Sequence, residues 1–181
     1  DSTEREDIPP FGYVVDYLTY GGIYREVQLQ IVHHKHFENV KLETPLVNGQ
    51  QFTLNATFDL TQSVLPTDEV VLELWDDKTC IKRDNQSGLI QVDNHLSLDK
   101  LDEVIPWTID KPKLYTVKLI LKSDEQQYSF YECKIGFRVL AFKSDGFYLN
   151  GEKIKLRGLN RHQSFPYVGY AMPKSAQYAD A

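Results

Sequence analysis

Apolar and polar residues alternate with a period of two along much of this chain, the spacing that places every second side chain on one face of a β-strand. Phe52, Leu54, Ala56, Phe58 and Leu60 alternate with Thr53, Asn55, Thr57 and Asp59, the clearest half-buried strand of the sequence. Val70, Leu72 and Leu74 make a second, ending at a turn over Asp76-Asp77-Lys78. Tyr115, Val117, Leu119 and Leu121 make a third. Ile135, Phe137, Val139 and Ala141 read as a fourth, with Lys134 and Arg138 on the opposite face. Weaker candidates lie at Val40–Glu43, Leu89–Val92 and His95–Leu98. Short strands about ten residues apart, with no amphipathic helix between them, predict an all-β fold: an immunoglobulin-like antiparallel β-sandwich over about 37–142. The Cys…Trp…Cys arrangement of antibody domains is missing, so this likeness is architectural.

The flanking segments are predicted to be incomplete. Ile23–Val32 reads as a strand of its own, after Pro9-Pro10 and Gly21-Gly22. Asn150-Gly151 between the apolar runs Phe147-Tyr148-Leu149 and Lys153–Leu159 predicts a hairpin, because both turn residues must take positive φ. Residues 174–181 begin a helix that the sequence breaks off, which reads as a cut end rather than a domain boundary.

Composition narrows the function classes. The net charge of −6 gives no support for nucleic acid or an anionic membrane as partner, and no run of 18 apolar residues spans a membrane. The charged residues Asp1–Asp7 do not form a signal peptide. Cys80 and Cys133 match no zinc or redox spacing and read as reduced packing residues, which suits a cytoplasmic protein, although a bridge between them stays open at this stage.

Three segments, in order, resemble glycoside hydrolase family 2. The run from Asp16 through Tyr17, Gly21, Gly22, Ile23, Tyr24 and Arg25 to Val27 resembles the last strand of that family's N-terminal jelly roll. Trp107 through Asp110, Pro112 and Leu114 to Tyr115 resembles a segment of its immunoglobulin-like middle domain. Gly136-Phe137-Arg138, then Phe147-Tyr148-Leu149-Asn150-Gly151, then Leu156-Arg157-Gly158-Leu159-Asn160-Arg161-His162-Gln163, resembles the start of its catalytic (β/α)8 barrel. The resemblance implies three parts: the end of a sugar-binding jelly roll (1–35), the sandwich (36–143) and a truncated barrel start (144–181). Asn160-Arg161-His162-Gln163, with Phe165-Pro166-Tyr167-Val168-Gly169 after it, looks most like the β-galactosidases of the family. The parent enzyme implied is a retaining hydrolase of terminal β-D-galactosides, and a homo-oligomer.

The chemistry itself is expected elsewhere. Retaining glycosidases use two carboxyl groups about 5–5.5 Å apart. A (β/α)8 barrel needs about 250 residues, whereas roughly thirty follow Asn150, enough for one barrel strand. The family's two catalytic glutamates have no counterpart here, so this piece is expected to be inactive and to hold no catalytic residue. The resemblance assigns two substrate contacts in the parent enzyme. His162, just past the first barrel strand, would contact the sugar; Asp16 would reach the sugar and serve as a candidate sodium ligand. Their bland counterparts are a packed loop histidine and a turn residue before Gly21-Gly22. No cofactor is expected of this piece, and magnesium and sodium are implied for the parent.

Other features carry weaker signals. His33, His34 and His36 suggest a metal, but on a strand His33 would face away from the other two, and a solvated linker is the reading preferred. Asn55-Ala56-Thr57 and Asn85-Gln86-Ser87 fit the glycosylation pattern only in a secretory setting. Trp75 and Trp107 could stack on sugars, but buried sandwich tryptophans are commoner. The rival readings are a free-standing immunoglobulin-like carbohydrate-binding or adhesion module, and a family 2 hydrolase of other specificity such as a β-glucuronidase. Exposed edge strands at the two flanks would favour pairing with a second chain.

Overall fold

Eleven strands and one short helix follow one another in the described residues, which are 22–49, 51–124, 126–161 and 164–180 of a computed structural model. β1 (Phe37–Glu43), β2 (Leu46–Val47), β3 (Gln51–Leu60) and β6 (Asn94–Leu101) form one antiparallel sheet centred on β3. β4 (Asp68–Asp76), β5 (Thr79–Ser87), β7 (Tyr115–Ser123) and β8 (Gln126–Ile135) form the other, in the order β5-β4-β7-β8. The inward residues of both sheets make one core: Phe52, Leu54, Ala56, Phe58 and Leu60 face Val70, Leu72, Leu74, Val117, Leu119 and Leu121. The all-β antiparallel sandwich is the one that the period-two alternation predicts.

A third, three-stranded sheet follows, made of β9 (Leu140–Lys143), β10 (Gly146–Leu149) and β11 (Glu152–Ile154). Its second turn is the expected Asn-Gly hairpin, with Asn150 at φ 50° and Gly151 at φ 85°. The helix α1 covers Lys174–Asp180. Among the described residues, those of 31–156 form one compact unit, and those of 22–30 and 157–180 contribute to another.

Several expectations need correction. The fourth strand does not exist as read: β8 ends at Ile135, the chain is irregular over 136–139, and β9 begins at Leu140. Ile135 is only partly buried, whereas Phe137 is wholly buried although it lies outside any strand. Ile23–Val32 has no ladder partner among the described residues, and Ile23, Val27, Leu29 and Ile31 are 78–90% exposed. Leu89–Val92 is a loop, held closed by Asn94, whose Oδ1 accepts the Ile90 N–H (2.9 Å) and whose Nδ2 donates to the Ile90 carbonyl (2.6 Å). Trp75 is half-buried on the outer face of β4, as strand parity demands once Leu72 and Leu74 point inward. Cys80 and Cys133 are free, on opposite edge strands of one sheet, three strand spacings or about 14 Å apart, which is too far to bridge.

The three histidines lie outside any strand, with His34 exposed and His33 and His36 half-buried. The chain bends at His34-Lys35, so the His33 and His34 rings meet at 3.9 Å, tilted by 43°, and His33 also meets Tyr128 at 4.8 Å. The Thr61 hydroxyl donates to the His34 carbonyl (2.7 Å) and accepts the His36 N–H (3.0 Å), fastening the bend to the loop after β3. No group of three or more His, Cys, Asp or Glu among the described residues could hold a metal ion.

Candidate functional site

The two motif segments inside the sandwich unit, around Trp107 and around Gly136 and Asn150, meet at one end of the core. Trp107 lies on the long connection between β6 and β7, and its N–H donates to the Phe137 carbonyl (2.7 Å). Gly136 presses its Cα against the indole: a Cβ there would fall 2.8 Å from Cδ1 and 2.9 Å from Cγ of Trp107. The Arg138 guanidinium covers the same indole, 5.3 Å from its ring centroid. Between Gly136 and Arg138, the Phe137 ring turns into the core, edge-on to Phe52 of one sheet (5.4 Å) and to Tyr115 of the other (5.5 Å). The Tyr115 hydroxyl accepts the Ile105 N–H (2.8 Å) and holds down the connection that carries Trp107.

Asn150 closes the junction from the hairpin side. Its Oδ1 accepts the Val139 N–H (2.9 Å), its Nδ2 donates to the Trp107 carbonyl (2.9 Å), and its own N–H donates to the Val139 carbonyl (2.8 Å). One residue thus supplies the left-handed turn of the hairpin and a bridge to two other parts of the chain. Sequence reading assigned Asn150 to the turn alone; an Asn where Gly or Asp would serve the turn as well was the only available signal. Gly136 is explained by space, so Gly136→Ala should overpack the Trp107 contact and destabilise the chain by about 1–3 kcal/mol. Urea unfolding would measure it, and a change below about 0.5 kcal/mol would mean that the indole moves aside freely.

Beside this junction runs a groove of about 790 Å³, lined among others by Leu42, Pro45, Asn55, Lys134 and Arg138. Its lining holds one carboxylate, Glu43. Several acids elsewhere in the sandwich unit are engaged by cations: Asp76 with Lys113, Glu69 with Lys122 (3.1 Å), Glu132 with Lys118 (3.5 Å) and Asp145 with Lys153 (3.2 Å). The Tyr148 hydroxyl and then the Lys153 ammonium hold the Asp145 carboxyl below the usual carboxylate range.

Asp16 and His162, the two substrate contacts expected from sequence, lie outside the described residues. Their described neighbours are ordered together in the other unit. The Arg25 guanidinium donates to the Tyr170 carbonyl (2.5 Å), the Tyr24 and Tyr170 rings are 5.7 Å apart, and Lys174 pairs with Glu26 (2.8 Å). Arg161, beside His162, pairs with Asp180 of α1 and donates to the Met172 sulfur (3.5 Å). A cleft of about 780 Å³ opens between Tyr24–Gln28 and Ala171–Gln177.

Comparison with known proteins agrees with this motif geometry. The sequence model of "Glycosyl hydrolases family 2" matches residues 35–138, which begin at the histidine bend and end on Arg138 over Trp107. A β-galactosidase of Thermoanaerobacterium thermosulfurigenes is 44% identical over 100% of this chain, and one of Thermoanaerobacter pseudethanolicus is 35% identical, also over 100%. The chain spans 26% and 25% of these relatives, about a quarter of their length. The crystal structure of a Bacteroides uniformis β-glucuronidase superposes with a TM-score of 0.77 at 27% identity, covering 98% of this chain and 23% of that one. With more than half its residues inside the family match, and with the motif residues packed on one another, the chain belongs to glycoside hydrolase family 2.

Proposed function

We propose that this chain is a supporting segment of a retaining β-galactosidase, in which the sandwich holds the neighbouring parts in place and the reacting carboxylates come from elsewhere in the protein. The carrying observation is the junction at Trp107, Gly136, Phe137 and Asn150, which joins the sandwich to the hairpin leading into the segment around Arg161. Two further observations support it. The space between the sheets is filled with apolar side chains and leaves no cleft for a sugar there. Several acids of the described residues, Glu26, Glu69, Asp76 and Asp145 among them, are taken up in ion pairs with lysines and so are not free to serve as the acid or the nucleophile of glycoside hydrolysis. Galactoside is favoured over glucuronide by the relatives at 44% and 35% identity, both named β-galactosidase. Magnesium and sodium have no set of three acidic, His or Cys donors among the described residues, and no part of this role runs through them.

The test compares two proteins on p-nitrophenyl β-galactoside and p-nitrophenyl β-glucuronide. The 181-residue chain alone should turn over neither, and the product of the whole reading frame that contains it should turn over the galactoside only. Turnover by the purified monomeric chain, or a full-length product that prefers the glucuronide, would overturn the proposal.

A further inference from the structure

We propose that Asn150 is a positioning residue: its carboxamide, independently of its place in the turn, fixes the 140–154 hairpin on the sandwich and so sets where the chain leaves it at Lys155. Two roles meet at this residue. The turn needs positive φ, which Gly supplies without a side chain. The bridge needs an acceptor for the Val139 N–H and a donor for the Trp107 carbonyl at once, 2.9 Å from each, and among side chains of this size only a carboxamide offers both. The bridge ends on Trp107, itself held by Gly136 against its ring and by the Phe137 carbonyl, so the hairpin is tied to a residue that the sandwich already fixes. A hairpin held only by its own ladder would hang from the irregular segment 136–139.

The consequence for catalysis rests on the β-galactosidase reading; the positioning itself does not. The variants are Asn150→Gly and Asn150→Asp, made in the chain carrying Trp75→Phe so that Trp107 is the only tryptophan. Asn150→Gly keeps the turn and removes the bridge. Exchange of the Val139 amide should accelerate by about tenfold or more, the worth of one lost hydrogen bond, and Trp107 emission should shift to the red. The β10–β11 ladder and the amides of β4 and β7 should keep their rates. Asn150→Asp keeps the acceptor but sets a carboxylate against the Trp107 carbonyl, so Val139 should stay protected while the Trp107 emission shifts. Unchanged Val139 exchange in Asn150→Gly, or loss of the β10–β11 ladder along with it, would overturn the proposal and leave Asn150 a turn residue. In the full-length protein, Asn150→Gly should lower kcat for the galactoside with little change in KM. A full-length protein inactive on galactosides before any substitution would count against the proposed function alone, because exchange in the chain decides the positioning role without activity.

Discussion

Phe137→Ala should lower the stability of the chain by about 3–5 kcal/mol, although Phe137 belongs to no strand. The ring is fully buried and plugs the end of the sandwich where the sheets would otherwise part. It meets Phe52 and Tyr115 at interplanar angles of 67° and 82°, edge-to-face contacts that add about 0.5–1.5 kcal/mol each beyond the buried area. The site collapses poorly once emptied, because Gly136 and Trp107 hold the backbone on one side and the strands of two sheets stand on the others. Phe137→Leu should recover most of the loss by restoring volume without the aromatic edges. Phe130, 64% exposed on β8, is the control: its alanine variant should change stability by about 0.5 kcal/mol or less. Urea unfolding followed by circular dichroism gives the numbers, and a Phe137→Ala loss below about 1 kcal/mol would show that the two sheets close without the plug.

The sandwich was legible because its central strands obey strict alternation, and alternation is the sequence image of one buried and one wetted face. β3, β4 and β7 each have neighbours on both sides, and their inward rows are apolar apart from Asp68 and Ser123, which face each other at one end of β4 and β7. β5 and β8 were missed for the opposite reason. They are edge strands, and an edge strand carries polar and charged residues that blur the period, such as Lys82, Arg83 and Asp84 on β5 and Gln126, Gln127, Glu132 and Lys134 on β8. Phe137 was read correctly as buried and wrongly as part of a strand, because parity continues through a segment where the backbone has already left the sheet. The junction residues were legible as a family resemblance but not as a structure. No local pattern says that the Asn150 carboxamide reaches across to the Trp107 carbonyl. The histidine bend misled because parity was applied to residues that are not a strand, and the residue that organises it is the lysine between the histidines.

Lys35→Met should be about as costly as losing the Phe137 plug, near pH 7 about 3–5 kcal/mol, because it strands a buried carboxylate. Lys35 and Asp68 pair at 2.6 Å with side chains 7% and 0% exposed. The bond ties the histidine bend before β1 to the start of β4. Burial pushes the Asp68 carboxyl upward, but the Leu65 N–H (2.7 Å), the Lys35 ammonium and the Ser123 hydroxyl outweigh it and leave the group below the usual carboxylate range. A carboxyl depressed on folding stabilises the protein above its unfolded value near 3.9, and that contribution is lost as the pH falls through the folded value. Removing the lysine reverses the sign: burial then dominates, the folded carboxyl titrates above 3.9, and the variant regains stability as the pH falls and Asp68 takes up a proton. The two unfolding free energies should therefore be furthest apart near pH 7 and converge toward pH 4. Lys35→Met combined with Asp68→Asn should recover most of the loss at pH 7, since the neutral amide still accepts the Leu65 N–H and no charge is left unpaired. If the gap between the parent chain and Lys35→Met does not change between pH 7 and pH 4, the cost lies in the lost lysine stem, and the ion pair does not fasten the bend.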